Sequence, residues 1–473
     1  MRLADRVSPP GSGPPVAPRP AVVSGWGRIR PAAVSLVRPE NVEAARRAVP
    51  RLSAGLGGWR RGATARGMGR SYGDAAQRHG GVVMDTTALS AFELDAERGI
   101  VRAQAGATLG RLLAALEPAG WVLPVVPGTQ HVSVGGAIAA DIHGKNHASA
   151  GTFGAHVDAV DLLTADGEVR ELGSDRDPDM LRATIGGMGL TGVIVSASIR
   201  LRRLASPLLS VDTDRVMSVE DALALLDGTG GEYRVAWLDL LDPSAIRGVV
   251  TRAAHLDAHP GVAPRSGPPG ERTTVASRLT VPARWPDRLL RPELVRAYNA
   301  YRFRRAPRSR SAALEPYGAH MFPLDGLDAW PRLYGSSGLV QYQFVAPRGG
   351  EDVLHRVIGR VRSSAVPCYL AVLKDFGSPA PSPLSFPLAG WTLALDMPGD
   401  APGLATMLDG FDEWVAEAGG RVYLAKDGRM RSDVVAAMYP RIAEWRAVRD
   451  RIDPDGVWCS DLGTRTGLVD GAR

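Results

Sequence analysis

The sequence predicts an α+β protein, on three observations. From about Val34 to Leu204, short strand-like and helix-like segments alternate amid many glycines. Past Ala205 the texture changes: a second set of strands appears, and helices follow it. Finally, the one stretch that could announce a Rossmann fold, "GGMGLTG" with Gly187-x-Gly189-x-x-Gly192, stands in the wrong order. It follows a helical segment and precedes a strand, whereas a dinucleotide fingerprint follows a strand and opens a helix.

The elements follow in chain order. "NVEAARRAVPRL" and "TLGRLLAALEPAG" have helical spacing, with Thr108 as N-cap of the second and Pro118 and Gly120 at its exit. "VVMDTT" and "IVRAQAG" read as strands, and "TADGEV" carries an Asp-Gly hairpin signal. "SDRDPDMLRATIG" reads as a short helix capped by Asp177 or Asp179. "VIVSASIRLRRL" after it is β-branched and alternating, so the intervening glycines serve as a helix stop and a turn. "SVEDALALLDG" starts on a Ser218-x-x-Asp221 capping box. His255 to Arg278 reads as a Pro/Gly/Ser-rich loop, and 301–313, strongly basic and aperiodic, as a second loop. "GLVQYQFVAP", "CYLAVLKDF" and "GWTLALDMP" are strands. Helices follow at "GLATMLDGFDEWVAEAG" and "DVVAAMYPRIAEWRAVRDRI".

With 473 residues the chain is long enough for two or three domains. A net charge of +6, spread over dispersed arginines, permits phosphate or anionic-membrane partners, and no nucleic-acid motif accompanies it. Cys368 and Cys459 alone provide neither a disulfide framework nor a cysteine metal site. The Pro-rich start lacks the apolar core of a Sec signal, and no apolar run reaches the ~18 residues of a spanning helix. The expected location is cytoplasmic or peripheral at a membrane, with the periplasmic face left open.

Two stretches concentrate candidate chemistry. "RGMGRSYGD" holds Arg66, Gly67, Met68, Gly69, Arg70, Ser71, Tyr72 and Gly73. Successive glycines let several N–H groups point into one concavity, a nest for phosphate. The plainer reading is a glycine turn after a strand. "PGTQHVSVGGAIAADIHGKNHASAGTFG" holds Pro127, Gly128, Thr129, Gly135, Gly136, Ala140, Ile142, His143, Gly144 and Lys145, a glycine density that lets backbone approach a flat or phosphorylated ligand. His143 and His147 stand at i and i+4, but Gly144 and Asn146 make the segment turn-like and no carboxylates accompany it, so no metal site is expected.

Together these stretches resemble the PCMH-type FAD-binding half of the vanillyl-alcohol-oxidase superfamily. Within it the chain is similar to the oxidases of polyprenyl-phosphoryl ribose, through "LLTADGE", "GGMGLTG", "LVQYQFV", "PLSFP", Gly390-Trp391 and "YLAKDGR". The resemblance implies a two-subdomain FAD-binding domain at 25–206 and a substrate domain at 207–420 with an antiparallel sheet and flanking helices. A C-terminal segment at 421–473 returns to the FAD half; the resemblance excludes 1–24, which by its Pro-rich composition reads as a disordered tail. It implies FAD along the two glycine stretches, with Gly189, Ile194 and Tyr423 also at the cofactor. It further implies hydride transfer from a ribose C2 to flavin N5. Tyr72 stands where relatives that bind flavin covalently carry a His, so the FAD is expected to be noncovalent.

The resemblance carries Lys426 and His143 over as catalytic residues. Substrate positions are Tyr72, His143, Lys145, Trp237, Met321, Gln341, Gln343, Lys374, Thr392, Ala394 and Lys426. Gln341 and Gln343, at i and i+2 of a strand, share one face and suit a sugar's hydroxyls. Lys374 suits a phosphate, and Lys426 a proton relay with its pKa lowered by burial. The plainer readings are a surface lysine paired with Asp427, a strand-end lysine, a solvated strand face and a core Trp237. Thr392 and Ala394 replace the family's Asn and Cys, and Met321 its Tyr, which leaves the sugar open. The expected partners are a lipid-linked sugar phosphate, an NAD(P)-dependent short-chain reductase, and an anionic membrane met by the five arginines of the basic loop from Tyr301 to Arg310. An aldonolactone or alditol oxidase and a catalytically inactive flavoprotein partner of a reductase are the alternatives.

Overall fold

A computed structural model describes residues 17–54, 62–228, 230–256, 273–287 and 289–470. Most of the Pro-rich start and much of the His255–Arg278 stretch lie outside these residues. The described residues build three larger sheets. The first runs, in spatial order, Arg19–Val23, Ala32–Val37, Val82–Asp85 and Ala63–Arg66, with parallel pairing among the last three. The second is antiparallel: Phe92–Asp95, Ile100–Gln104, Val193–Arg200, Val157–Leu163 and Val169–Gly173. The third has eight antiparallel strands, from Ser309–Pro316 at one edge to Arg421–Val422 at the other.

Local chemistry sets the elements of the first half. Thr108 caps the helix Leu109–Leu116 by accepting from the Arg111 amide, and Gly120, at φ 73°, ends the short turn after it. Asp177 caps Pro178–Thr184 through the Met180 amide. Val157–Leu163 and Val169–Gly173 form the hairpin that the Asp166-Gly167 pair announces. "GGMGLTG" does link a helix to a strand, Pro178–Thr184 to Val193–Arg200.

Two expectations fail. The segment 1–24 is not wholly a tail: Arg19–Val23 pairs antiparallel with Ala32–Val37, because a short apolar run can place its backbone groups on an open sheet edge. The basic stretch 301–313 is not a loop. It ends the helix Pro292–Arg305 and begins the edge strand Ser309–Pro316. Arg215 secures the junction by donating to the carbonyls of Arg304 and Ala306.

The eight-stranded sheet has one face on helices and one on a cleft. Tyr342 points to the helical face, where its hydroxyl donates to Asp412 at 3.0 Å. Gln341 and Gln343, on either side of it, point the other way, as period-2 alternation requires. The cross-strand register aligns Gln343, Ala394, Val372, Trp237 and Val249 in one row across four neighbouring pairings. That row is a wall of the cleft.

Candidate active site

The cleft encloses about 710 Å³ between this wall and the glycine-rich turns of the first half. Such a volume lies within the range of ligand pockets. Both glycine stretches reach it. The turn Gly67–Tyr72 follows directly on the strand Ala63–Arg66. Opposite it, Pro127, Gly128 and Thr129 form a second turn, held from behind by Asp325, whose carboxylate accepts the Gln130 amide at 2.8 Å.

Three lysines face the cleft from different segments. Lys426 Nζ lies 3.9 Å from the centre of the Tyr72 ring. Its pKa is lowered to about 7 by burial; Asp396 opposes the shift, and Lys374 adds to it. Asp396 in turn is raised to about 6 by burial and accepts a hydrogen bond from Gln341. Lys374 is lowered to about 8 by burial and stands 3.4 Å from His143 Nδ1. Lys145, lowered to about 7 by burial, donates to the His320 carbonyl. Each lysine lines the cleft. Burial lowers all three, so part of these amines is neutral near neutral pH and the site can accept protons as well as bind anions.

His143 is packed among Phe376, Phe386 and Tyr423, with ring centroids 4.8, 5.9 and 5.5 Å away. Burial, then the charge of Lys374, pushes its pKa well below the usual imidazole value, so it is neutral. Its Nε2 receives a hydrogen bond from the Gln343 amide at 3.0 Å. His147 turns elsewhere: its Nδ1 accepts from the Gly377 amide at 3.1 Å and its ring packs on Phe376. Gln341 donates to the Tyr72 hydroxyl at 3.3 Å, tying the sheet wall to the glycine turn.

Comparison with known proteins places this geometry. A model of the FAD binding domain matches residues 35–173. The chain is 39% identical over 454 residues to decaprenylphosphoryl-β-D-ribose oxidase of Mycolicibacterium smegmatis, covering 94% of this chain and 97% of that protein. This chain belongs to that family of FAD-dependent oxidases. It is also 40% identical over 380 residues to an uncharacterised protein of Streptomyces coelicolor, covering 76% of this chain and all of that protein. A more distant relative is an alditol oxidase of a Streptomyces species, 26% identical over 460 residues, or 92% and 96% of the two chains.

The residues present fit FAD. At Gly128 and Gly189 no atom lies within 4 Å of where a Cβ would stand, so that space belongs to the cleft. Gly67 admits nothing larger, since a Cβ there would meet Ser133 Oγ at 2.1 Å. Gly69, at φ 63°, turns the backbone in the left-handed region that glycine favours. Arg70 stacks on Trp26 at 3.7 Å, and its Nε has no partner among the described residues. Glycine backbone and a cation together suit a pyrophosphate. In an oxidase of this family the Gly67–Gly73 turn and Pro127 to Thr129 would hold the pyrophosphate, and Gly135 to Gly144 would run along the cofactor.

Most of the expected site residues line the cleft. On the cofactor side these are Met68, Ser71, Gly136, Ala140, Ile142, Gly144, Gly189, Ile194 and Tyr423; on the substrate side they include Trp237, Met321 and Ala394. Three do not. Arg66 is turned away from the cleft, its guanidinium donating to the carbonyls of Ser24 at 2.7 Å and Ala76 at 3.0 Å. Gly73 packs on the Asp427 carbonyl, where a Cβ would come within 1.7 Å. Thr392 is fully buried beneath the wall. The plain reading of Lys426 as a surface lysine paired with Asp427 fails, because Asp427 is paired with Arg465 at 2.8 Å.

Several neighbours left no signal in the sequence. Trp26, Ser133, Glu315, His320 and Asp325 also line the cleft, whereas Arg302, which lines it too, belongs to the basic stretch that the sequence singled out. Arg302 lies over the Trp237 ring at 4.4 Å. Asp396 had a signal: it is two residues beyond Ala394 in the strand Gly390–Pro398, hence on the same face.

Proposed function

We propose that this enzyme oxidises the 2′-hydroxyl of a polyprenyl-phosphoryl ribose, or a close lipid-linked pentose, to the 2′-keto sugar. The observation that carries this reading is the cleft's substrate side. It gathers Lys426, Gln341, Gln343 and Lys374 opposite a cofactor cradle. The relative named for that activity aligns over nearly the whole chain.

Bound FAD supplies the two-electron oxidant, accepting a hydride from the sugar carbon at flavin N5. The chain's residues do the rest. Lys426, as a neutral amine, takes the hydroxyl proton as the carbon–hydrogen bond breaks. Gln341 orients the sugar. Lys145 and Lys374 hold the phosphate, with Arg302 nearer the mouth. Trp237, in the wall beneath Arg302, can stack on the sugar or the first isoprene. The FAD is noncovalent, because Tyr72 occupies the position of a linking histidine.

The cleft opens beside the helix Pro292–Arg305. Leu294, Tyr298 and Tyr301 form an exposed stripe on it at i, i+4 and i+7, and Arg304 and Arg305 are exposed alongside. An apolar stripe within a basic surface suits an anionic membrane that presents a polyprenyl substrate. Among the described residues no helix is long and apolar enough to cross a membrane. A short-chain NAD(P)-dependent reductase would return the ketone to an alcohol of opposite configuration.

The test is turnover of the flavin-loaded protein on polyprenyl-phosphoryl ribose against free alditols. Reduction of the flavin band by the lipid substrate alone supports the reading. Reduction by alditols alone replaces it with that of the distant relative. No reduction by either leaves an inactive flavoprotein. Acid precipitation separately tests the linkage: flavin retained in the pellet would refute noncovalent binding.

A further inference from the structure

Thr392 and His143 do not touch, yet one hydrogen-bond chain joins them. The Thr392 hydroxyl has a single proton, and it donates to the Phe344 carbonyl at 2.9 Å. Its oxygen can therefore only accept from the next neighbour, the Gln343 amide nitrogen at 3.1 Å. That requires the NH₂ end of Gln343 to face Thr392. The same nitrogen is 3.0 Å from His143 Nε2, which its second hydrogen reaches. A nitrogen that receives a hydrogen bond carries no proton. All three side chains are buried, so solvent does not compete for these directions.

We propose that Thr392, acting through Gln343, holds His143 as the tautomer protonated on Nδ1 and thereby makes His143 a positioning residue rather than the base. The inference rests on the proposed oxidation only for its effect on turnover. Its consequence for the site follows from the donor inventory. Neither nitrogen of His143 offers a free lone pair to the substrate: Nε2 is occupied by Gln343, and Nδ1 bears hydrogen. The group facing Nδ1 is Lys374 Nζ, 3.4 Å away. With hydrogen on Nδ1, His143 gives Lys374 no lone pair to bond, so the N–H groups of Lys374 stay directed to the cleft. The remaining titratable neighbours, Lys426 and His147, add only positive charge when protonated and so disfavour a cationic His143. The rings of Phe376, Phe386 and Tyr423 hold the imidazole in place. Proton acceptance is left to Lys426.

The opposite arrangement is definite as well. With the Gln343 amide rotated by half a turn, its oxygen would face His143, Thr392 would donate to Gln343, and His143 would carry its proton on Nε2. The two arrangements differ in an observable way. The FAD-loaded protein labelled with ring-¹⁵N histidine contains nine histidines. His143 is assigned by the signals lost in His143→Gln. Protonated and unprotonated ring nitrogens have widely separated ¹⁵N shifts, and coupling patterns tell Nδ1 from Nε2. We expect protonated Nδ1 and bare Nε2 in the resting enzyme. Thr392→Val keeps the side-chain shape but removes the hydroxyl. It should allow the amide to rotate and move His143 toward the Nε2–H form. Turnover number should fall about ten- to hundredfold, the loss typical when a partner orienting a site histidine is removed, with KM nearly unchanged. Thr392→Ser should restore both signals and rate. A proton on Nε2 in the wild type overturns the proposal, as does an unchanged His143 spectrum in the valine variant. The spectrum requires no substrate, so it tests the tautomer whatever the turnover assay yields.

Discussion

If Lys426 accepts the hydroxyl proton, the pH dependence of kcat/KM must follow its free amine. Burial lowers this lysine to about 7. Activity should therefore rise with pH, and a single group at that position gives about a tenfold increase between pH 6 and pH 8. Lys145 and Lys374 titrate close by, so a rising limb alone does not identify the group. The neighbours do, because they act in opposite directions. The Asp396 carboxylate raises the Lys426 pKa, and the Lys374 ammonium lowers it. Asp396→Asn keeps an acceptor for Gln341 while removing the anion, so the limb should move to lower pH, by on the order of one unit. Lys374→Met should move it to higher pH by a similar amount. Lys426→Met should remove the limb along with nearly all activity. The assay is flavin reduction in the stopped flow across pH 5.5 to 9. A limb that stays fixed in Asp396→Asn, or that moves to higher pH, would refute Lys426 as the base.

Three further outcomes follow from particular contacts. Arg465 binds Asp74 through two bonds of 2.9 and 2.8 Å and Asp427 at 2.8 Å, so Arg465→Met leaves two buried carboxylates without their cation. It should cost about 3–5 kcal/mol in urea unfolding. Gly128→Ala should fold normally by circular dichroism but emerge with depleted flavin. Gly73→Ala, which would press on the Asp427 carbonyl, should fail to give soluble protein. Ala394→Cys should label with a small thiol reagent, and mass spectrometry of the unmodified protein should show no label in the cleft, since Cys368 and Cys459 are buried.

Elements decided by local chemistry were legible in the sequence. Thr108, Ser218 and Asp177 cap the helices that their positions announce. The Asp166-Gly167 pair makes its hairpin, and the glycines of "GGMGLTG" follow a helix as the pattern order required. The helix Pro292–Arg305 was not legible. Asn299 is its only buried residue, so it has no apolar periodicity to read. Arg66 misled for a different reason. A cation beside a glycine turn looks like a phosphate ligand, but its partners, Ser24 and Ala76, are carbonyls fixed only by the fold. Asp325 and Glu315 come to the cleft through long-range packing that no local pattern records.

The return of the C-terminus bears on the order in which the protein is made. Trp458 bridges Ala63, the Cys459 amide bonds the Ala63 carbonyl, Asp461 holds Gln77 and His79, and Arg465 clasps Asp74. The first glycine turn thus rests on residues translated as much as 391 positions later, counted from Asp74 to Arg465. On a ribosome adding roughly 5–20 residues per second, the cradle gains these supports on the order of tens of seconds after its own sequence is made. A ribosome that stops before Trp458 releases a chain whose first glycine turn lacks all of these supports.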